Sequence, residues 1–290
     1  MMDLSGIWVP LVSPFRGGQL DTHALGSLVD RLVDDGVAGF VVCGSTGEAA
    51  MLDEAEQELA LATTIEHARG RPVLMGLSGV AHAAIARRAQ VILQRSDVAA
   101  FLVAAPPYVR PSQAALQVHF EALAGALPRP LVVYDIPART GVRIEVATLL
   151  ALAAHPNIVA VKDCSGDRAA AQAVLDDGRL ALLAGNDEEL FDQVARGAAG
   201  GITASAHLAT ARFVQLHDLL RQGRLQDARL LWTGLAALTR LAFREPNPAP
   251  LKGALARLGQ LADELRAPLL PASPATVDAL LARCAALSPR

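Results

Sequence analysis

The sequence predicts an α/β protein, a (β/α)8 barrel with a C-terminal helical extension. Eight short apolar runs recur at intervals of roughly 20 to 35 residues, and each precedes a longer segment of helical period. The runs are continuously apolar rather than alternating, which is typical of parallel strands that are covered on both faces. After the eighth run the pattern becomes entirely helical. These observations together favour a closed barrel followed by a group of helices.

The apolar runs define the expected strands. Each run is short, and most lie between segments of helical period, as in a repeated βα unit. The eight strands are expected to begin near Ile7, Ala38, Pro72, Ala99, Leu131, Ile158, Leu180 and Gly200.

Helix boundaries are marked by capping residues. Asp21, Asp53 and Ser112 are expected N-caps, and Gly36 and Gly70 are expected to follow helix ends. The helices expected between the strands include 21–35, 53–69, 81–94, 112–127 and 187–197. Those expected after the eighth strand are 209–222, 224–243, 250–259 and 273–287.

The chain is expected to divide into a barrel over residues 1–208 and a helical region over 209–290. Proline-rich breaks at 246–250 and 268–274 separate the last helices. A doubly wound open sheet is the alternative, because periodicity does not prove closure. No G-x-G-x-x-G sequence follows the first strand, which weakens the dinucleotide-binding version of that alternative.

Composition narrows the function classes. The 290 residues are 52% hydrophobic, and 26 basic side chains nearly balance 29 acidic ones without a basic run, so nucleic acid and anionic membranes are unexpected partners. Three dispersed cysteines, Cys43, Cys164 and Cys284, fit a reducing compartment. No apolar stretch approaches the 18 residues that span a bilayer, and the N-terminus does not have the pattern of a signal peptide. We therefore expect a soluble cytoplasmic protein.

Two polar side chains end apolar strands. Lys162 ends the run 158–161, and Tyr134 ends the run 131–133. A lysine that ends a buried strand is expected to have a depressed pKa, and a neutral amine is a nucleophile toward ketones. The alternative is a lysine with a buried stem whose ammonium reaches solvent. In a (β/α)8 barrel the strand C-termini carry the active site, so the two side chains are expected to approach each other there.

The turn after the second strand is the third candidate element. Residues 44–48 read Gly-Ser-Thr-Gly-Glu, in which two glycines allow successive backbone N–H groups to face an anion. Alone, this turn is consistent with an ordinary tight βα loop. With an amine and a phenol it forms a set that suits an α-keto acid substrate.

These residues resemble the dihydrodipicolinate synthase / N-acetylneuraminate lyase family of pyruvate-dependent class I aldolases. The resemblance runs over essentially the whole chain in order, and it implies the (β/α)8 fold and a homotetramer built from two tight dimers. The matching segments are GSTGE at 44–48, YDIPARTG at 134–141, VKDCSG at 161–166, AGND at 184–187 and EPNPAPLK at 245–252.

The resemblance also implies the roles of individual residues. Lys162 would form an imine with C2 of pyruvate, and Tyr134 would act as the general acid/base. Ser45, with Tyr108 from the neighbouring subunit, would complete a proton relay. The backbone of Ser45 and Thr46 would bind the pyruvate carboxylate. The rest of the expected substrate site is Gly47, Arg139, Gly185 and Ile202.

Two positions depart from the family pattern. Ser45 stands where threonine is common, which keeps the hydroxyl and loses the methyl group that restricts its rotamer. The frequent Tyr-Tyr-Asn is Pro107-Tyr108-Val109 here, so only the relay tyrosine is retained.

The loop after the fifth strand indicates the acceptor substrate. Arg139, five residues beyond Tyr134, matches an arginine that pairs with the carboxylate of aspartate semialdehyde in the synthase branch. The resemblance therefore favours a synthase that condenses pyruvate with L-aspartate semialdehyde. Aldolases or dehydratases of other oxo acids or sugar acids stay open, as does a non-catalytic paralogue that binds keto acids.

No cofactor beyond the covalent imine is expected, and no metal. The histidines are scattered without ligand spacing, and His207 after the eighth strand is expected to be structural. Inhibition by lysine is expected to be weak or absent, because the positions matching the family's lysine pocket are Glu54, Ala81, Ile85 and Pro107.

Overall fold

The computed structural model describes residues 2–287 of the chain. Within them, eight of the ten strands form a closed parallel barrel, which confirms the predicted fold class. Each barrel strand begins within one residue of its predicted start. The strands are β1 (Gly6–Pro10), β2 (Phe15–Arg16), β3 (Gln19–Leu20), β4 (Gly39–Val42), β5 (Val73–Leu77), β6 (Ala100–Ala104), β7 (Leu131–Asp135), β8 (Ile158–Asp163), β9 (Ala181–Ala184) and β10 (Gly200–Ile202).

The chain forms two compact units, which divide it differently from the predicted boundary at residue 208; that boundary stays a prediction. The first unit comprises residues 2–5 and 74–202. Its strands pair in parallel in chain order, from β5 to β10. Its helices are α3 (His82–Leu93), α4 (Gln113–Ala126), α5 (Pro137–Thr140), α6 (Val146–Leu152), α7 (Arg168–Asp177) and α8 (Leu190–Ala195).

The second unit comprises residues 6–73 and 203–287 of the described chain. In it β1 pairs in parallel with β4, and the C-terminal helices pack on one another. Its helices are α1 (Thr22–Asp34), α2 (Glu54–His67), α9 (Thr210–Arg221), α10 (Leu225–Ala242), α11 (Ala249–Arg257) and α12 (Pro274–Leu287). The last four lie within two residues of their predicted bounds.

The predicted N-caps are confirmed. The Asp21 side chain accepts a hydrogen bond from the backbone N–H of Ala24, 2.9 Å away. Asp53 and Glu56 form a reciprocal capping box at the start of α2. Side-chain oxygens at these positions satisfy N–H groups that the first turn of a helix leaves without intrahelical acceptors.

A small antiparallel hairpin was not predicted. Strands β2 and β3 are joined by Gly17 and Gly18, which both have positive φ. Two-residue Gly-Gly turns of this kind match the twist of a hairpin. The strands are only two residues long, too short to give a periodic pattern in the sequence.

Large side chains fill the interior of each unit. Phe101 and Phe120 are fully buried in the first unit, and Trp8, Phe40 and Phe213 in the second. No helix within residues 2–287 is both long enough and apolar enough to cross a membrane.

The close packing around Gly39 predicts how a substitution there changes the stability of the protein. A Cβ atom on Gly39 would lie 2.6 Å from the Pro72 carbonyl oxygen and would also overlap the Trp8 ring. Gly39→Ala is therefore expected to lower the free energy of unfolding by about 1–3 kcal/mol, as overpacking does. Chemical denaturation followed by circular dichroism measures this change.

Gly125→Ala is the matched control. Gly125 lies in α4, and a Cβ there meets nothing within 4 Å. This substitution is expected to raise the free energy of unfolding by up to about 1 kcal/mol. Equal effects of the two substitutions would contradict the packing argument.

Candidate active site

Lys162 and Tyr134 lie side by side on neighbouring strands. The register of β7 and β8 pairs Tyr134 with Lys162, so the two side chains project from the same face of the sheet. The Lys162 Nζ atom lies 4.2 Å from the centroid of the Tyr134 ring. Their exposed fractions are only 5% and 8%. Both side chains are therefore almost entirely buried, which disfavours the alternative of a lysine whose ammonium extends into solvent.

Burial lowers the pKa of Lys162, and the positive charge of Arg139 lowers it further. Negative charge on Cys164 or Asp187 would oppose this shift. However, burial raises the pKa of the Cys164 thiol to about 12, so at neutral pH the thiol is uncharged and is not a counter-charge. The Asp187 carboxylate remains as the opposing charge, and it does not offset burial. The arrangement favours an uncharged, nucleophilic amine.

Gly185 leaves room for the Lys162 side chain. A Cβ atom at this position would lie 2.9 Å from the Lys162 Cγ atom and 2.5 Å from the Cys164 sulfur. The Gly185 N–H donates a 2.8 Å hydrogen bond to the Asp163 carbonyl, which continues the pairing of β8 and β9. Glycine is therefore required where the lysine stem passes.

Two buried carboxyls lie behind the Tyr134–Lys162 pair, on the opposite face of the same strands. Asp135 accepts a hydrogen bond from the Ile144 N–H, and burial raises the pKa of Asp135 to about 7. Asp163 accepts hydrogen bonds from the Ser165 N–H at 2.9 Å and from the Gln193 side chain at 2.9 Å. These hydrogen bonds fix the segments that follow β7 and β8. The sequence analysis missed this role, although each aspartate directly follows a candidate catalytic residue.

Arg139 and Tyr108 are both exposed. Arg139 lies on the short helix α5 and is within electrostatic reach of Lys162. Within the described residues its guanidinium forms no ion pair, so it is available to an anion. Tyr108 is 94% exposed and has a positive φ of 74°. The structure does not bring Tyr108 into contact with the Tyr134–Lys162 pair.

The turn at 44–48 follows β4 in the second unit. Cys43 and Glu48, at either end of it, both adopt left-handed backbone conformations. Inside the turn, the Gly47 N–H donates to the Gly44 carbonyl and the Glu48 N–H donates to the Ser45 carbonyl. A Cβ atom on Gly47 would lie 2.9 Å from the Leu11 carbonyl oxygen, so the turn packs too closely for a side chain there.

Two consecutive backbone donors in this turn are free. Among residues 2–287, no acceptor bonds the N–H groups of Ser45 and Thr46, and the Ser45 hydroxyl has no partner. Consecutive free N–H groups form an anion-binding concavity. The turn is thus able to bind a small carboxylate.

The remaining predicted residues, Ile202 and His207, are both buried. Ile202 is buried at the end of β10, in the first unit. His207 is fully buried and accepts a hydrogen bond from the Val12 N–H, while its Nδ1 lies 2.8 Å from the Ala204 carbonyl. These bonds give His207 the expected structural role. No group of three or more His, Cys, Asp or Glu suited to a metal occurs within the described part of the chain.

Two residues that hold the turn were also missed from the sequence. Lys252 forms a buried ion pair with Glu48, and Asn247 donates to the Thr46 hydroxyl. Both belong to the EPNPAPLK segment, which was used only to recognise the family. More than 200 residues separate these partners in the sequence, so no local pattern could have paired them.

Comparisons with known proteins show what the chain is similar to. The Dihydrodipicolinate synthetase family matches residues 3–286. A 4-hydroxy-tetrahydrodipicolinate synthase of Stenotrophomonas maltophilia is 38% identical over 94% of this chain and 92% of that protein. The dihydrodipicolinate synthase structure from Thermotoga maritima has a TM-score of 0.94 at 28% identity, covering 99% of both chains. The chloride-inhibited enzyme of Acinetobacter baumannii, solved with pyruvate, has a TM-score of 0.93 at 29% identity, covering 97% of this chain and 99% of that chain.

The reactivity of Lys162 is a direct test of its environment. Lys162 and Lys252 are the only lysines in the chain. Because its pKa is lowered, Lys162 is expected to react with cyanate at a half-maximal pH below that of acetyl-lysine amide treated in parallel. Peptide mass spectrometry measures the carbamylation of each lysine.

Lys252 is the internal control, since it is fully buried against Glu48 and is expected to stay unmodified while the protein is folded. A Lys162 profile that coincides with that of acetyl-lysine amide would contradict the lowered pKa.

Proposed function

The chain belongs to the dihydrodipicolinate synthetase family, and on that basis we propose that it condenses pyruvate with L-aspartate semialdehyde to 4-hydroxy-tetrahydrodipicolinate. It is a lyase of the class I aldolase type, and the reaction belongs to lysine and diaminopimelate biosynthesis. The observation that carries the proposal is the buried Lys162 amine 4.2 Å from the centre of the Tyr134 ring.

The first half of the reaction activates pyruvate. The neutral Lys162 amine attacks C2 of pyruvate, and loss of water gives an imine on Nζ. Tyr134 donates the proton that the departing hydroxyl needs. The protonated imine withdraws electrons from the neighbouring methyl group, which loses a proton and becomes a nucleophilic enamine. General acid/base help of this kind contributes about 10²- to 10⁴-fold to the rate.

The second half joins the substrates and releases the enzyme. The enamine carbon attacks the aldehyde carbon of aspartate semialdehyde, forming a C–C bond and a hydroxyl. The amino group of the same substrate then attacks C2 and displaces the Lys162 amine, which closes the ring. The protonated imine is itself the electron sink, so the proposal includes no other cofactor and no metal.

The carboxylate of pyruvate is assigned to the turn at 44–48. Support comes from the free N–H groups of Ser45 and Thr46 and from the close packing of Gly47. The Ser45 hydroxyl is assigned to the proton relay with Tyr134. Gly185 and Ile202 complete the proposed pyruvate site, at the ends of β9 and β10.

Tyr108 is proposed to act from a neighbouring subunit. It is 94% exposed in the single chain, beside an open groove lined in part by Val80, Val109 and Val118. These three valines are each about half exposed or more, which is unusual for a surface that solvent covers. We therefore propose a second copy of the chain on this groove, within a homotetramer of two tight dimers.

The proposed compartment is the cytoplasm. The free cysteines, the balanced charge and the biosynthetic class of the family support it.

The steady-state rate with pyruvate and L-aspartate semialdehyde, coupled to the reductase that consumes the product, tests the function. A kcat/KM of about 10⁴ M⁻¹s⁻¹ or more is expected, within the normal enzyme range. Borohydride reduction in the presence of pyruvate should add a carboxyethyl group to Lys162 alone. Trapping without turnover of aspartate semialdehyde would keep the imine chemistry and assign another oxo acid or sugar acid as the acceptor. Absence of trapping would reject the imine mechanism and favour a non-catalytic keto-acid binder.

Arg139 is proposed to determine which acceptor aldehyde binds. Arg139→Ala is expected to raise the KM for aspartate semialdehyde about 10- to 100-fold, as loss of a charge-assisted hydrogen bond does, and to change the KM for pyruvate much less. Arg139→Lys should recover part of the loss, because an ammonium keeps the charge without the bidentate geometry. Initial rates with each substrate varied in turn measure both constants.

Arg143→Ala provides the control, since Arg143 is also exposed but already pairs with Asp167 at 2.6 Å. An unchanged KM for aspartate semialdehyde in Arg139→Ala would mean that the acceptor carboxylate binds elsewhere.

A further inference from the structure

A fully buried ion pair holds the end of the turn at 44–48. The Lys252 Nζ atom donates to the Glu48 carboxylate at 2.7 Å and to the Ser13 carbonyl at 2.8 Å. The second oxygen of Glu48 accepts the backbone N–H of Arg266 at 3.0 Å. Both side chains of the pair are fully buried. Each oxygen of this carboxylate thus accepts a hydrogen bond from a residue of the C-terminal region.

The middle of the turn is held from two further points. The Ser13 hydroxyl donates to the Gly47 carbonyl at 2.6 Å. The Asn247 side-chain amide donates to the Thr46 hydroxyl oxygen at 2.9 Å. Because that oxygen accepts from Asn247, the hydroxyl proton of Thr46 is directed away from Asn247 and is available to another acceptor.

The turn would not keep this shape by itself. Glu48 and Cys43 occupy left-handed conformations that cost free energy in residues other than glycine and persist only where the surroundings hold them. A buried ion pair is weak support for stability, since desolvation of both charges offsets much of their attraction. The pair instead fixes the orientation of the neighbouring residues in the turn.

We infer that Asn247 and Lys252 are positioning residues for the carboxylate of pyruvate. Lys252 fixes the turn through Glu48, so that the N–H groups of Ser45 and Thr46 stay free. Asn247 donates to the Thr46 hydroxyl oxygen, so that the hydroxyl proton faces the anion. The inference rests on the proposed function, because pyruvate supplies that anion.

The test uses a change of polarity at Asn247. Asn247→Asp has nearly the same shape, but its carboxylate accepts from Thr46, turns the hydroxyl proton away from the substrate and adds a negative charge. It is expected to raise the KM for pyruvate about 10- to 100-fold, more than Asn247→Ala does, with kcat and the KM for aspartate semialdehyde nearly unchanged. Glu48→Gln combined with Lys252→Met removes the ion pair without leaving a lone charge, and should raise the same KM about 10-fold.

A ketone without a carboxylate distinguishes a loss of carboxylate positioning from general damage to the site. Borohydride trapping of acetone on Lys162 should proceed equally in the wild-type protein and in Asn247→Asp, while trapping of pyruvate falls. Asn157→Ala is the structural control: Asn157 donates to three backbone carbonyls in the first unit, so its loss should lower Tm without altering the KM for pyruvate.

The outcomes separate this inference from the proposed function. If the wild-type protein traps pyruvate and Asn247→Asp keeps its KM for pyruvate, the positioning role is overturned and the function stands. If Asn247→Asp loses acetone and pyruvate trapping alike, the residue is structural and the inference fails. A wild-type protein that traps acetone but not pyruvate would overturn both.

Discussion

The site depends on one constraint, the burial of the Lys162 amine at the end of β8. Removal of an ammonium from water is costly unless the group is paired or gives up its proton. No carboxylate within residues 2–287 forms an ion pair with Lys162; its contacts include the Tyr134 ring, and the neighbouring Cys164 thiol is uncharged. Burial therefore lowers the pKa of Lys162, which makes the neutral, nucleophilic amine more accessible. Gly185 and the strand register are required because they keep the amine in this position.

The second lysine shows that burial alone does not determine the chemistry. Lys252 is at least as buried as Lys162, but Glu48 and the Ser13 carbonyl surround its ammonium with acceptors. That lysine is suited to act as a fixed cation. Beside Lys162, by contrast, the Cys164 thiol lies 3.9 Å from the Tyr134 hydroxyl, and burial raises the pKa of that thiol to about 12, so it carries no negative charge at neutral pH. Neighbouring acceptors therefore distinguish a structural lysine from a reactive one.

The sequence was sufficient for the fold because its signals are local. Continuous apolar runs placed each barrel strand to within one residue, and side-chain caps such as Asp53 marked the helix starts. The same local signals identified Lys162 and Tyr134 at strand ends. It could not pair Glu48 with Lys252, which are 204 residues apart, nor show that Asn247 faces Thr46. The β2–β3 hairpin was missed for a different reason, because a two-residue strand spans a single period of the pattern and shows no repeat.

Arg139 links the two substrates through its charge. Burial is the main cause of the lowered pKa of Lys162, and the Arg139 guanidinium adds to it, so its charge also favours the free amine. On the proposed function the same charge then destabilises the protonated imine relative to the neutral enamine, and so favours loss of the methyl proton. Binding of the acceptor carboxylate neutralises Arg139 only after the enamine has formed. A neutral side chain at this position would lose both effects, and a lysine would keep the charge but not the bidentate geometry. On the proposed function, the residue assigned to the acceptor carboxylate would therefore also favour activation of pyruvate.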